Sequence, residues 1–113
     1  MEYEERPWGR YFVLDDSSTH KVKRIEVIPG GRLSYQFHNK RSEVWTIVKG
    51  IAKITLDGFE KEYVAGQIIK IPLKAKHRVM NVGKETLVFI EVQLGTYFGE
   101  DDIVRIEDDY DRT

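Results

Sequence analysis

The sequence predicts an all-β fold, an antiparallel sandwich or barrel, and three observations carry that expectation. Apolar and polar residues alternate in short runs, helical periodicity is scarce, and clusters of turn residues separate the runs. In chain order the expected strands are RYFVL (10–14), KVKRIEVI (21–28), LSYQF (33–37), EVWTIVK (43–49) and IAKITL (51–56). KEYVA (61–65), IIKI (68–71), RVMNV (78–82) and LVFIEVQL (87–94) follow. β-Branched and aromatic residues dominate these runs, as a half-buried pleated surface requires. The connections DDSS, PGG, KG, DG, AG, PLKA and VGKE supply residues that tolerate the dihedrals of tight turns. Asp57-Gly58 is the strongest of them, because a two-residue hairpin loop demands positive φ and glycine accepts it. The tail GEDDIVRIEDDYDRT is acidic, yet IVRI within it has the makings of one more strand or a packed return segment.

A chain of 113 residues is long enough for one domain with a real core. We expect an N-terminal arm or strand over 1–14, a barrel over 15–95 and a C-terminal return segment over 96–113. A net charge of −1 argues against nucleic acid or an anionic membrane as a partner held by bulk electrostatics. No stretch approaches the roughly 18 apolar residues of a membrane-spanning helix. The N-terminus is acidic and aromatic, unlike a secretory signal. The lack of cysteine rules out disulfides and thiolate metal sites, so the expected location is the cytoplasm.

Alternation also sorts side chains onto faces. Ser34, Gln36 and His38 share one face of their run, opposite Leu33, Tyr35 and Phe37. Glu43, Trp45 and Ile47 form a row, and Phe89, Glu91 and Gln93 form another. Three strands that each offer acidic, amide or imidazole groups on one face exceed what a plain core needs. His77, just beyond 68–71, is a fourth group of the same chemistry. Imidazole nitrogen with carboxylate and amide oxygen suits a borderline divalent ion. Taken singly, each of these residues is more often a hydrogen-bonded or surface side chain, and His20 in DDSSTHK is read that way.

The spacing narrows the choice. Gly30, Gln36, His38, Glu43 and Gly50 stand at intervals that resemble the first cupin motif, with Gln36 where most cupins carry a histidine. Gly66, Pro72, His77 and Asn81 resemble the second, with Lys74 in place of the usual glycine, a departure expected to alter a turn. The resemblance implies a single-domain cupin, a double-stranded β-helix or jelly-roll barrel. It also implies one divalent metal ion (Zn, Mn, Co, Ni or Fe) on Gln36, His38, Glu43 and His77. That ligand set resembles the zinc site of the classical mannose-6-phosphate isomerases. Nearly the whole chain resembles the type II mannose-6-phosphate isomerase cupin, through ERPWGRYFVL, RSEVW, IPLKAKHRVMNVG and IEVQLGTYFGEDDIVRIEDDY. That module commonly follows a mannose-1-phosphate guanylyltransferase domain, and this chain resembles its free-standing form. The family often has histidines where this chain has Asn39, Lys40 and Val44, so no proton-transfer role falls to those positions.

The implied activity is aldose–ketose isomerisation of mannose 6-phosphate and fructose 6-phosphate, which needs a Lewis acid, a base and cations for the phosphate. Glu91 is the candidate base, because desolvation would raise its pKa; a structural carboxylate paired with Lys23 or Arg24 is the alternative. Gln93, on the same face, is a candidate for substrate binding. The resemblance makes Arg105 a candidate for stabilising an enediolate or the phosphate, if the tail folds over the barrel mouth. Glu100, Asp101 and Asp102 before it are otherwise a solvated run. Lys40 and Arg41 are phosphate candidates or solvent-facing, and Trp8 and Trp45 stack on sugar or belong to the core. The partner is then a small sugar phosphate, and pairing of edge strands would give a homodimer. A non-catalytic sugar-binding or sensing cupin is the alternative, as is another metal-dependent cupin enzyme such as a dioxygenase, although Gln36 departs from the usual oxygenase ligands.

Overall fold

In the computed structural model, which describes residues 2–110, alternation becomes pairing. The strands are β1 (Tyr3–Arg6), β2 (Gly9–Asp16), β3 (His20–Val27), β4 (Tyr35–Phe37), β5 (Arg41–Lys49) and β6 (Ile51–Leu56). β7 (Phe59–Val64), β8 (Ile68–Ile71), β9 (His77–Asn81), β10 (Leu87–Gly95) and β11 (Val104–Glu107) complete the set, with no helix among the described residues. Two antiparallel sheets result, ordered β1-β2-β3-β10-β5-β8 and β11-β4-β9-β6-β7. The core draws residues from both, with Trp45, Ile47, Leu87 and Phe89 of the larger sheet meeting Ala52, Ile54 and Val79 of the smaller. Trp45 and Phe89 lie ring against ring at 4.6 Å. Both tryptophans are core residues, and Trp8 also reaches the cleft described below.

The register divides the interior into two halves. Leu87 pairs with Val27, and Phe89 with Ile25 on one side and Ile47 on the other. Further along β10 the partners turn polar: Glu91 stands between Lys23 and Trp45, and Gln93 opposite Glu43. In the smaller sheet, Ile54 pairs with Val79 and Leu56 with His77. One half of each inward row is therefore apolar and the other carries chemistry. Both follow from a period of two, because every second residue faces in whatever its polarity.

Two turns show how local chemistry sets this register. Asp57 and Gly58 both have positive φ (47° and 86°), the two-residue hairpin expected between β6 and β7. Lys74, which stands where the motif usually has a glycine, takes φ 66°, a left-handed conformation that glycine adopts without strain. Its N–H donates to the His38 carbonyl at 2.9 Å, which offsets the strain and joins the two loops beside the site.

Some boundaries differ from expectation. β1 is a full strand, paired residue for residue with β2 and stacked through Tyr3 on Phe12. β5 begins two residues early, at Arg41. The acidic tail contributes β11, which pairs with β4.

Candidate functional site

The polar half of the barrel brings together residues from five elements. Glu43 lies near the start of β5, His77 begins β9, and His38 sits just past the end of β4. All three are buried, and one donor atom from each lies within 4.8 Å of the other two. Gln36 is paired directly with His77 across β4 and β9, and its Oε1 accepts a hydrogen bond from Ser34 Oγ at 2.6 Å.

The imidazoles are set by their outer nitrogens. His38 Nδ1–H donates to the Asp102 carbonyl at 2.6 Å, and His77 Nδ1–H to the Ala75 carbonyl at 2.9 Å. A carbonyl only accepts, so both protons sit on Nδ1 and both Nε2 lone pairs face inward. His77 Nε2 has no hydrogen-bond partner although it is fully buried, 3.9 Å from Glu43 Oε1. Backbone carbonyls that orient histidines while their inner lone pairs converge on a carboxylate are the arrangement a divalent ion requires. These residues fit such an ion, and Gln36 offers a further amide oxygen.

Arg41 crowds the same group. Its Nε–H donates to Glu43 Oε2 at 2.8 Å and its Nη2–H to His38 Nε2 at 3.2 Å. Burial opposes ionisation of Glu43. The Arg41 guanidinium, the neighbouring imidazoles and the Trp45 indole N–H, at 2.9 Å, overcome it and hold the carboxyl at about 2. Burial lowers the His38 pKa, with Arg41 adding to the effect against the pull of Glu43, so the ring is neutral and its Nε2 lone pair accepts the Arg41 Nη2–H.

Glu91 behaves in the opposite way. Burial, with the negative charge of Glu43 second, pushes its carboxyl up to about 8. Gln93 Nε2 donates to Glu91 Oε2 at 2.6 Å and holds the carboxyl in place. The alternative reading, a pairing with Lys23 or Arg24, is not what forms: Lys23 Nζ donates to Glu100 Oε2 at 2.9 Å and Arg24 to Glu26. Outside these groups a narrow cleft of about 60 Å³ opens, lined among others by Tyr11, Lys23, Arg41, Glu91, Glu100 and Arg105.

Most sequence candidates thus gather at one end of the barrel. Arg105 lines the cleft, in register with Gln36, so the tail does fold back over the mouth. Lys40 stands apart: its side chain is exposed, with Nζ 5.1 Å from the centre of the Tyr97 ring. The acidic run is not solvated throughout. Asp102 is buried, and its carboxylate accepts the N–H groups of Asn39 and Lys40 at 3.1 and 2.9 Å. Sequence reasoning gave no site role to Lys23, Tyr11 or Arg6, which also line the cleft. Lys23 did carry a signal, since it shares the inward row of Ile25 and Val27 and interrupts it with a charge. His20 is half-buried and bound to Asp15, a hydrogen-bonded side chain as read.

Known proteins support this geometry. A family model described as "Mannose-6-phosphate isomerase C-terminal" matches residues 2–108. The alginate biosynthesis protein AlgA of Pseudomonas aeruginosa is 47% identical over 108 residues, 96% of this chain but 22% of that protein. The mannose-1-phosphate guanylyltransferase of Escherichia coli is 48% identical over 107 residues, 95% of this chain and 22% of its own length. The chain therefore spans about a fifth of these curated relatives. Among solved structures, Lactobacillus farciminis oxalate decarboxylase superposes with a TM-score of 0.81 at 24% identity, over 93% of this chain and 33% of that one. A Klebsiella pneumoniae protein with a double-stranded β-helix domain gives 0.75 at 23% identity, over 85% of this chain and 77% of that one. Those two likenesses show the cupin fold. With the family model covering nearly all of it, the chain belongs to the family of mannose-6-phosphate isomerase C-terminal cupin domains.

Proposed function

We propose that this domain is a metal-dependent isomerase interconverting mannose 6-phosphate and fructose 6-phosphate. The observation that carries the reading is the pair of imidazoles whose Nδ1–H groups are committed to backbone carbonyls, leaving both Nε2 lone pairs beside Glu43. A divalent ion (Zn, Mn, Co, Ni or Fe) held by His38, Glu43, His77 and Gln36 would polarise the C1 and C2 oxygens of the sugar. The chain's own groups do the rest. Glu91, held by Gln93 and with its pKa raised to about 8, takes the proton from one carbon in its ionised form and returns it to the next. Arg105 faces charge that develops on oxygen, and the other cations of the cleft hold the phosphate. Names of the relatives favour mannose-phosphate chemistry over that of other cupins.

The test is interconversion of the two hexose phosphates by the purified protein, loaded in turn with each candidate ion. We expect turnover that chelator and His77→Ala abolish. Glu91→Gln should lower kcat by ~10²–10⁴-fold with little change in KM, the usual share of a general base. Absence of turnover on either hexose phosphate with every ion would refute the isomerase reading and leave a binding domain.

A further inference from the structure

Lys23 is an unusual resident of a barrel interior. Its side chain is 3% exposed, its Nζ donates to Glu100 Oε2 at 2.9 Å, and it lies 4.2 Å from the centre of the Tyr11 ring. Arg41 is buried beside it, and its Nη1 makes no hydrogen bond; Glu100 Oε2 is 3.6 Å away, out of reach. Buried cations are costly unless an anion compensates them. Here the compensation is asymmetric. Both cations are fixed on strands of the larger sheet, whereas Glu100 is 46% exposed on the connection between β10 and β11. The anion can leave for water and the cations cannot.

The space tells the same story. A cleft of about 60 Å³ is well below the several hundred Å³ of an ordinary small-ligand site. Glu100 is one of its walls. The connection is tied at both ends, by Thr96 N–H to the Lys40 carbonyl at 3.1 Å and by Asp102 to Asn39 and Lys40. Glu100 lies between those ties, in a turn that the Asp102 N–H closes on the Gly99 carbonyl at 3.1 Å, so only its half-exposed side chain has to swing away.

We propose that Lys23 and Arg41 form the subsite for the phosphate group of the substrate, and that the Glu100 carboxylate is its internal occupant, displaced as the phosphate enters. The identity of the ester rests on the isomerase reading; the anion subsite is measurable without it. A phosphate carries more charge than a carboxylate and has three terminal oxygens, enough to bind Lys23 and also the unfilled Arg41 Nη1. Glu100 then competes with every anion that approaches, so it sets both affinity and selectivity.

The experiment is calorimetric titration of the full chain with inorganic phosphate, with and without chelator, for wild type, Glu100→Gln, Lys23→Gln and the double variant. Glu100→Gln should bind phosphate ~10-fold more tightly, a competitor worth ~1.4 kcal/mol being removed. Lys23→Gln should weaken binding by a similar factor, and the double variant should lose the gain. If Lys23→Gln does not fold, the double variant answers alone, since it leaves no unpaired charge. Equal phosphate affinity in Glu100→Gln and wild type overturns the proposal, as does a gain that vanishes with chelator. Tighter phosphate binding without isomerase turnover supports the subsite and refutes the isomerase reading; turnover without tightening does the reverse.

Discussion

Asp102→Ala tests how the C-terminal segment supports the site. The wild-type carboxylate accepts two backbone N–H groups, Asn39 at 3.1 Å and Lys40 at 2.9 Å, in the loop that follows His38. Charge-assisted bonds contribute ~1.5–3 kcal/mol each when buried, and this loop is partly exposed, so ~1–1.5 kcal/mol apiece is appropriate. The loss is then ~2–3 kcal/mol. For a domain of this length a kcal/mol moves the melting temperature by ~4 °C, so Asp102→Ala should melt ~10 °C lower. Asp102→Asn keeps one acceptor oxygen and should recover about half. The Asp102 carbonyl also orients His38, so loosening the segment should weaken binding of a divalent ion by ~10–100-fold, read by competition with a chromophoric chelator. A melting temperature within ~2 °C of wild type, with ion affinity unchanged, would refute the idea that this residue braces the His38 loop.

Other consequences follow from single features. Phe89 is fully buried against Trp45, so Phe89→Ala should cost ~3–5 kcal/mol in a urea titration. Lys74 has φ 66°, so Lys74→Gly should relieve strain and stabilise by ~0.5–1 kcal/mol after the unfolded-state entropy is counted; destabilisation in the same titration would show the strain is absent. Partial burial works against ionisation of Glu26, but hydrogen bonds from Arg10 and Arg24 outweigh it and lower its pKa below the ordinary 4.5. A depressed carboxyl stabilises the fold above its unfolded pKa and loses that contribution as pH falls through the folded value. Melting temperatures of Glu26→Gln should therefore depend less on pH below 4.5 than those of wild type. Chelator should lower the wild-type melting temperature and leave His77→Ala unmoved, because ligand binding to the folded state stabilises by mass action.

Much of this was legible in the sequence where residue type and period agreed. IAKITL and IIKI form strands with the boundaries expected, because alternating β-branched residues leave little else to choose. The metal-type cluster was legible because Gln36, His38 and Glu43 are close in sequence and an inward row tolerates them only with a reason. β1 was foreseen only loosely: YEER has no apolar alternation, and its place is won by pairing with β2. Lys23 and Glu100 were missed as a pair because they lie far apart in the chain, and nothing local reveals that β3 and the tail meet. Lys40 shows the converse. Adjacent to Arg41, it lies in the bend before β5 and is exposed, while Arg41, the first residue of the strand, is buried.

The division of the interior into an apolar and a polar half has a consequence for how such a domain changes over time. Rigidity is lodged in rows such as Leu87–Phe89 and Ile47, and reactivity in their continuation through Glu91, Gln93 and Glu43. A substitution at the polar end alters what is held or turned over while the scaffold stays folded, and a substitution at the other end shifts heat tolerance while the donor set stays in place. One barrel can thus change its chemistry without solving its fold again.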